Sequence, residues 1–142
     1  MKIALFQART GIDPAGNGAE LVARVAEAAA GGAAMLFTPE MSGLLDQDRG
    51  RAGANLSHEA DDPVLAAVGA AARGHRLWVH LGSLALLADD GERLVNRGFV
   101  IDAEGKVRAR YDKIHLFDVD LPTRESWRQS PSYRGGAPPV LV

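Results

Sequence analysis

Glu40 is the first residue of this sequence whose type and position could do chemistry. It follows Thr38-Pro39 directly after residues 33–37, an apolar run without polar alternation that is typical of a buried strand. In open α/β sheets ligands bind beyond the carboxyl ends of the strands, and Pro39 restricts the backbone beside the carboxylate. Glu40 could act there as a general base if partial burial raises its pKa. A solvated loop glutamate is the alternative, because most glutamates are exposed.

Lys113 is the second such residue, and it comes immediately after the predicted strand 106–111. A lysine ammonium at the end of a strand could stabilise the negative charge that develops on an oxygen during acyl transfer. The alternatives are a surface lysine or a structural ion pair with Asp112 or Glu40. His115, two residues further on, is more often a hydrogen-bonded structural histidine than a base.

Several other kinds of site are excluded by composition and spacing. The sequence has no cysteine, which rules out disulfides and thiolate zinc sites and removes the strongest side-chain nucleophile. The glycines between residues 11 and 18 lack the spacing of a phosphate-binding loop. The four histidines show no metal-ligand spacing, and no HExxH motif occurs. We therefore expect neither a metal ion nor another cofactor.

Charge and hydropathy limit the partners of the protein. The formal net charge is −2 and no basic cluster is present, so nucleic acid is not an expected partner. No apolar run is long enough to cross a bilayer, and the N-terminus lacks the features of a signal peptide. We expect a cytoplasmic protein without membrane contact. A length of 142 residues predicts a single domain.

The elements that must position Glu40 and Lys113 follow from hydrophobic periodicity. Asp62-Pro63 is a helix start, because Asp can cap the free amides and Pro suits the first helical position. Residues 102–105 form a predicted hairpin turn in which Gly105 supplies a positive φ. Residues 41–61 are irregular, with one short helix. Strands are predicted over 2–8, 33–37, 77–87, 93–101 and 106–111, and helices over 19–30 and 63–74.

This order, β-α-β-α-β-β-β, predicts an α/β fold with a mixed sheet. The βαβα start requires parallel strands, whereas the hairpin near the end requires antiparallel ones. The tail after Leu116 shows little periodicity, although Gly135-Gly136 marks a turn before Val140-Leu141-Val142, which is predicted to open another strand.

Taken together, these segments resemble the nitrilase superfamily of carbon–nitrogen hydrolases, in particular its amidase-like branch. The Lys113 segment is the most specific match and the Glu40 segment is moderately specific. The order and approximate spacing of all five matching segments agree with the family. They are residues 2–7, Phe37 to Gly43, Asn96 to Gly105, Arg110 to Phe117, and Glu125-Ser126 with Gly135-Gly136.

The resemblance implies a four-layer αββα sandwich, of which this chain is the N-terminal part, and a Glu-Lys-Cys mechanism on non-peptide amide, nitrile or carbamoyl bonds. By position, Glu40 would be the general base, Lys113 would stabilise the tetrahedral intermediate, and Glu125 would position substrate or water. The family's cysteine follows the strand that begins here at Val140, so this chain contains no nucleophile. The small-molecule amide would bind to the complete protein.

The missing cysteine leaves three interpretations: a fragment of a longer gene product, one half of a split protein, or a degenerate relative. The intact upstream pattern favours the first, and we expect the 142-residue chain alone to be inactive. A different class of function is a non-catalytic binding or assembly module, because an unfinished sheet exposes strand edges and an apolar face. Such a chain should form a homo-oligomer or bind a complementary C-terminal piece.

Overall fold

A five-stranded mixed sheet, covered on one face by two helices, dominates the computed structural model, which describes residues 1–123 and 126–138. The elements are β1 (Ile3–Leu5), α1 (Pro14–Ala30), β2 (Met35–Phe37), α2 (Arg49–Gly53), a 3-10 helix (Glu59–Asp61), α3 (Pro63–His75), β3 (Trp78–Leu87), β4 (Leu94–Ile101), β5 (Val107–Asp112), β6 (Asp118–Asp120) and β7 (Ser126–Arg128). The strands β1 to β5 lie side by side in chain order. The pairs β1–β2 and β2–β3 are parallel, and the pairs β3–β4 and β4–β5 are antiparallel.

This architecture confirms the predicted α/β class, the mixed sheet and the element order up to β5. Of the four layers of an αββα sandwich, the described residues form one helical layer and one large sheet, with β6 and β7 as a small separate sheet. The small hairpin was not predicted, because its three-residue strands are too short to show periodicity.

Helix α1 begins at Pro14, five residues before the predicted start at Ala19, so that prediction was wrong. The Asp13 carboxylate accepts hydrogen bonds from the backbone amides of Ala15 and Gly16, and Pro14 occupies the first turn. The same Asp-Pro signal that identifies the start of α3 was present here. The glycines at 16 and 18 made this turn look like a loop.

Helix α3 begins where the sequence predicts, with the Asp62 carboxylate accepting from the Leu65 amide at 2.7 Å. Its buried stripe includes Val64, Val68 and Ala72. The helix ends at His75, one residue after the predicted end at Gly74, and Arg76 adopts a left-handed conformation with φ 52°.

The hydrophobic core lies between the helices and one face of the sheet. Successive residues of a strand point to opposite faces, so alternate positions of β3 and β4 enter this core. The fully buried Val79 and Leu81 of β3 lie beside Ile101 and Phe99 of β4, respectively. The residues between them point to the other side of the sheet.

The other side of the sheet, which we call the open face, carries the large apolar side chains Ile3, Leu5, Trp78 and Tyr111. Their exposed fractions are 46%, 73%, 40% and 43%. The cross-strand register places Ile3, Met35 and Trp78 in one row, so these side chains share a face. The two helices leave this row uncovered.

The tail returns to the main sheet after β7. Tyr133 forms a parallel bridge with Leu94, and the Arg134 amide donates to the Leu94 carbonyl. The Gly136 amide then donates to the Lys113 carbonyl at 3.0 Å. The strand predicted at Val140–Val142 lies outside the described residues.

Candidate active site

The loop that carries Glu40 is held on β3 by a set of short polar contacts. The Thr38 hydroxyl accepts from the Gly82 amide at 3.1 Å. The Ser83 hydroxyl accepts from the Met41 amide at 2.9 Å, and the Ser83 carbonyl accepts from the Ser42 amide at 2.9 Å. Met41 has a φ of 55°, so the chain reverses immediately after Glu40. The direction of the Glu40 side chain is therefore fixed by a tight turn.

Glycine is required at position 82 because the Glu40 loop lies directly against it. A Cβ atom there would lie 2.3 Å from the Thr38 carbonyl oxygen and 2.4 Å from the Pro39 carbonyl oxygen. Gly82 also sits within the register shift of β3 between Leu81 and Leu84. The sequence carries a signal for this contact, since an isolated glycine inside a strand marks a bulge or a close backbone approach.

Glu40 and Lys113 meet at the edge of the open face. The Lys113 ammonium donates to Glu40 Oε1 at 2.8 Å, although the two residues are 73 positions apart. The contact brings together the two residues that the sequence analysis singled out. This geometry also fits the alternative of a structural ion pair, so it does not by itself assign a catalytic role.

Asn96 is a third member of the cluster that sequence reasoning missed. Its side-chain amide donates to the same oxygen, Glu40 Oε1, at 2.6 Å, and the residue is only 3% exposed. The Lys113 amide donates to the Asn96 carbonyl at 2.9 Å, which makes the two donors neighbours across β4 and the end of β5. An asparagine within a mostly apolar predicted strand was the available signal.

The pKa of Glu40 is lowered, so the condition that partial burial raises it is not met in this chain. The hydrogen bond from Lys113 is the largest cause, and it outweighs the opposing effect of desolvation. The Asn96 hydrogen bond and the charge of Lys113 act in the same direction. The Glu40 side chain is still 54% exposed, whereas that of Lys113 is 27% exposed. The carboxylate is therefore ionised at neutral pH and open to solvent.

Glu125, the third predicted site residue, lies outside the described residues. Among residues 1–123 and 126–138, no group of three His, Asp or Glu side chains could hold a metal ion. Within the same ranges, no helix has the length and apolarity needed to cross a membrane.

Comparison with known proteins matches almost the whole chain to one protein family. The family model for carbon–nitrogen hydrolases matches residues 2–141. The chain is 28% identical over 136 residues to the deaminated glutathione amidase of Yersinia enterocolitica, covering 94% of this chain and 47% of that protein. It is 29% identical over 134 residues to the nitrilase and fragile histidine triad fusion protein of Drosophila melanogaster, covering 92% of this chain and 28% of that protein.

Solved structures agree with this match. The NitN amidase from Nesterenkonia sp. AN1 superimposes with a TM-score of 0.76 at 27% identity, covering 100% of this chain and 52% of that one. The NitFhit protein of C. elegans gives a TM-score of 0.81 at 24% identity, covering 95% of this chain and 33% of that one, and so shows the shared fold. The chain thus spans about half the length of the Yersinia and Nesterenkonia amidases.

Proposed function

We propose that this chain, which belongs to the carbon–nitrogen hydrolase family, supplies the glutamate and the lysine of an amide-hydrolysing site. The observation that supports this is the contact of Lys113 and Asn96 with one oxygen of Glu40 at the end of β2. Strand ends of α/β sheets are where ligands bind, and a carboxylate beside an ammonium suits acid–base work on a neutral substrate.

In this proposal the nucleophile is a cysteine thiol that comes from outside the 142 residues. A thiol with an ordinary pKa of about 8.5 is mostly protonated at neutral pH, so it needs a neighbouring base. Glu40 takes the thiol proton, the sulfur bonds to the amide carbon, and Lys113 stabilises the oxyanion. Glu40 then gives the proton to the departing amine. Water hydrolyses the resulting thioester to the carboxylic acid, with Glu125 positioning substrate or water.

The low pKa of Glu40 in this chain fits a base that starts in its ionised form. A general base is most effective when its pKa lies near the working pH, and loss of water from a carboxylate raises its pKa. The Glu40 side chain is 54% exposed here, so substrate or further chain that covers it should move its pKa upwards.

Short amides are the proposed substrate class. The relatives include the Yersinia deaminated glutathione amidase and an omega-amidase of Arabidopsis thaliana. Crystal structures of the Nesterenkonia amidase include complexes with acrylamide and butyramide, and one shows acrylamide added to the active-site cysteine. Carbamoyl and nitrile compounds, which the family resemblance also implies, belong in the same substrate panel.

The experiment begins with the gene beyond codon 142, where we expect a cysteine about one strand further on. The longer protein should release ammonia from a short aliphatic amide. Glu40→Gln and Lys113→Met should each lower kcat by about 100-fold or more, the scale of losing a general base or an oxyanion partner. Glu104→Gln and Lys106→Met, at exposed positions of the hairpin turn, are the matched controls.

The 142-residue chain should show no ammonia release above background, because it has no cysteine. Turnover by the purified chain would contradict this mechanism. A longer reading frame without a cysteine would also contradict this mechanism, and it would favour the interpretation of the chain as a degenerate relative.

A binding or assembly module is the second candidate, and the open face is the observation that favours it. Apolar side chains such as Leu5 and Trp78 are exposed on a sheet with uncovered edges, and such surfaces associate. We expect the 142-residue chain to self-associate, or to bind a complementary C-terminal piece when one is supplied. Analytical ultracentrifugation showing a stable compact monomer, unaffected by that piece, would exclude this candidate.

A further inference from the structure

A network of four charged side chains lies behind the Glu40–Lys113 pair, on the helix side of the sheet. Arg97 of β4 donates two hydrogen bonds to Asp112 of β5, from Nε to Oδ1 at 2.6 Å and from a terminal nitrogen to Oδ2 at 2.9 Å. Its other terminal nitrogen donates to Glu59 Oε2 at 2.8 Å. Glu59 also accepts from Arg110 Nε at 2.6 Å. The network contains two cations and two anions, so it is neutral as a whole.

Three of the four side chains in this network are more protected from water than Glu40 and Lys113, whereas Arg110 is 48% exposed. The side chains of Arg97, Asp112 and Glu59 are 17%, 18% and 22% exposed. Arg97 is held charged, since the hydrogen bonds that it donates to Asp112 raise its pKa further. A planar guanidinium that binds both oxygens of a carboxylate fixes geometry as well as charge, which an ammonium cannot do.

The network connects to the site through the strands themselves. Arg97 and Asp112 are direct cross-strand partners. Asn96, which donates to Glu40, directly precedes Arg97 in the sequence. Lys113, the other donor to Glu40, directly follows Asp112. Neighbouring residues in a strand point to opposite faces of the sheet. The contact between Arg97 and Asp112 on one face therefore fixes the positions of Asn96 and Lys113 on the other.

We propose that Arg97 and Asp112 are positioning residues for the Glu40 site, with Glu59 as their anchor on the helical layer. Their paired side chains hold the ends of β4 and β5 in the register that brings both donors to one carboxylate oxygen. The assignment to catalysis rests on the proposed function, whereas the positioning effect can be measured without any turnover.

Two substitutions separate positioning from a general effect of charge. Arg97→Lys keeps the positive charge but loses the bidentate hydrogen bonding to the Asp112 carboxylate. Asp112→Asn removes a negative charge from the vicinity of Glu40, which by itself would make the Glu40 carboxylate easier to ionise and lower its pKa. Loss of register instead moves Lys113 away from Glu40 and raises that pKa. The two explanations therefore predict opposite signs for Asp112→Asn.

The test is the pKa of Glu40, measured in the 142-residue chain by NMR titration of its side-chain carboxyl carbon. We expect it to rise in both variants by about half a pH unit, within the roughly one-unit spread that protein environments impose on carboxylates. Glu104→Gln, which removes an exposed negative charge at the turn between β4 and β5, is the control and should leave it unchanged.

An unchanged Glu40 pKa in Arg97→Lys, or a lowered one in Asp112→Asn, overturns the proposal. If Asp112→Asn does not fold, Arg97→Lys decides the question alone. In the longer, cysteine-bearing protein, Arg97→Lys should lower kcat by about tenfold with KM little changed, since misplaced catalytic groups affect the transition state. If the unmodified longer protein shows no turnover, the proposed function is contradicted. The titration result would still decide whether Arg97 and Asp112 position the Glu40 site.

Discussion

Substituting Gly82 by alanine is the sharpest test of how the Glu40 loop is held. The added methyl group would lie 2.3 Å from the Thr38 carbonyl oxygen and 2.4 Å from that of Pro39. Both contacts are with backbone atoms, which cannot rotate away as the end of a side chain can. The Pro39 oxygen belongs to the peptide unit that leads into Glu40, so the strain acts directly on the site.

The size of the effect follows from these distances. Ordinary contact begins at 3.4 Å, so the loop must retreat by about 1 Å to accommodate the methyl group. A retreat of this size lengthens the 2.8 Å contact between Lys113 and Glu40 to at most about 3.8 Å, which is beyond the range of a hydrogen bond. Crowding a tight contact also costs about 1–3 kcal/mol of stability. We expect a loss of about 2 kcal/mol together with a raised Glu40 pKa.

Urea denaturation and the Glu40 titration measure the two effects. Gly74→Ala is the matched control, because Gly74 lies in α3 with no atom within 4 Å of the added Cβ. Alanine there should stabilise the protein by about 0.5–1 kcal/mol, since glycine is the poorer helix former. The same chemical change thus has opposite signs at the two positions. A Gly82→Ala protein with unchanged stability and an unchanged Glu40 pKa would refute this explanation.

Three further substitutions test separate contacts. Lys113→Met removes the main cause of the low Glu40 pKa, which should rise towards its ordinary value of 4.5 in an NMR titration. A depressed carboxyl pKa contributes stability that is fully present above the unfolded-state pKa and is lost as the pH falls through the lowered folded-state pKa. The stability difference between Lys113→Met and the unmodified chain should therefore be largest above pH 4.5 and shrink as the pH falls below it. Asp62→Ala removes the cap of α3 and should cost about 1 kcal/mol in urea denaturation, whereas the exposed neighbour Asp61 should tolerate alanine. Leu81→Ala empties a fully buried position of β3 and should cost about 2–5 kcal/mol by the same measurement.

Most of the sheet was predictable because its signals are local. The Asp-Pro start of α3, the Gly105 turn with φ 78° and the long apolar runs of β3 and β4 all depend on neighbouring residues. The ends of β3 and β4 therefore fell within one residue of their predicted positions. The start of α1 was missed although its signal was also local, because two glycines obscured it.

The composition of the site was only partly predictable, because its contacts join distant segments. Glu40 and Lys113 were found from strand ends and family resemblance. Asn96 lies 56 positions from Glu40, and nothing in its own segment indicates which carboxylate it meets. The lowered pKa of Glu40 was unpredictable for the same reason, since the Lys113 hydrogen bond that outweighs desolvation joins residues 73 positions apart.

The order of the strands has a consequence for how the site assembles. Strands β3, β4 and β5 follow one another in antiparallel hairpins, so they can pair after closing short loops. Strand β2 reaches β3 only after a connection of 40 residues, from 38 to 77, and carries Glu40 with it. We therefore expect Lys113 to be in place before Glu40 arrives during refolding. Amide hydrogens of β4 should accordingly gain protection from exchange earlier than those of β2.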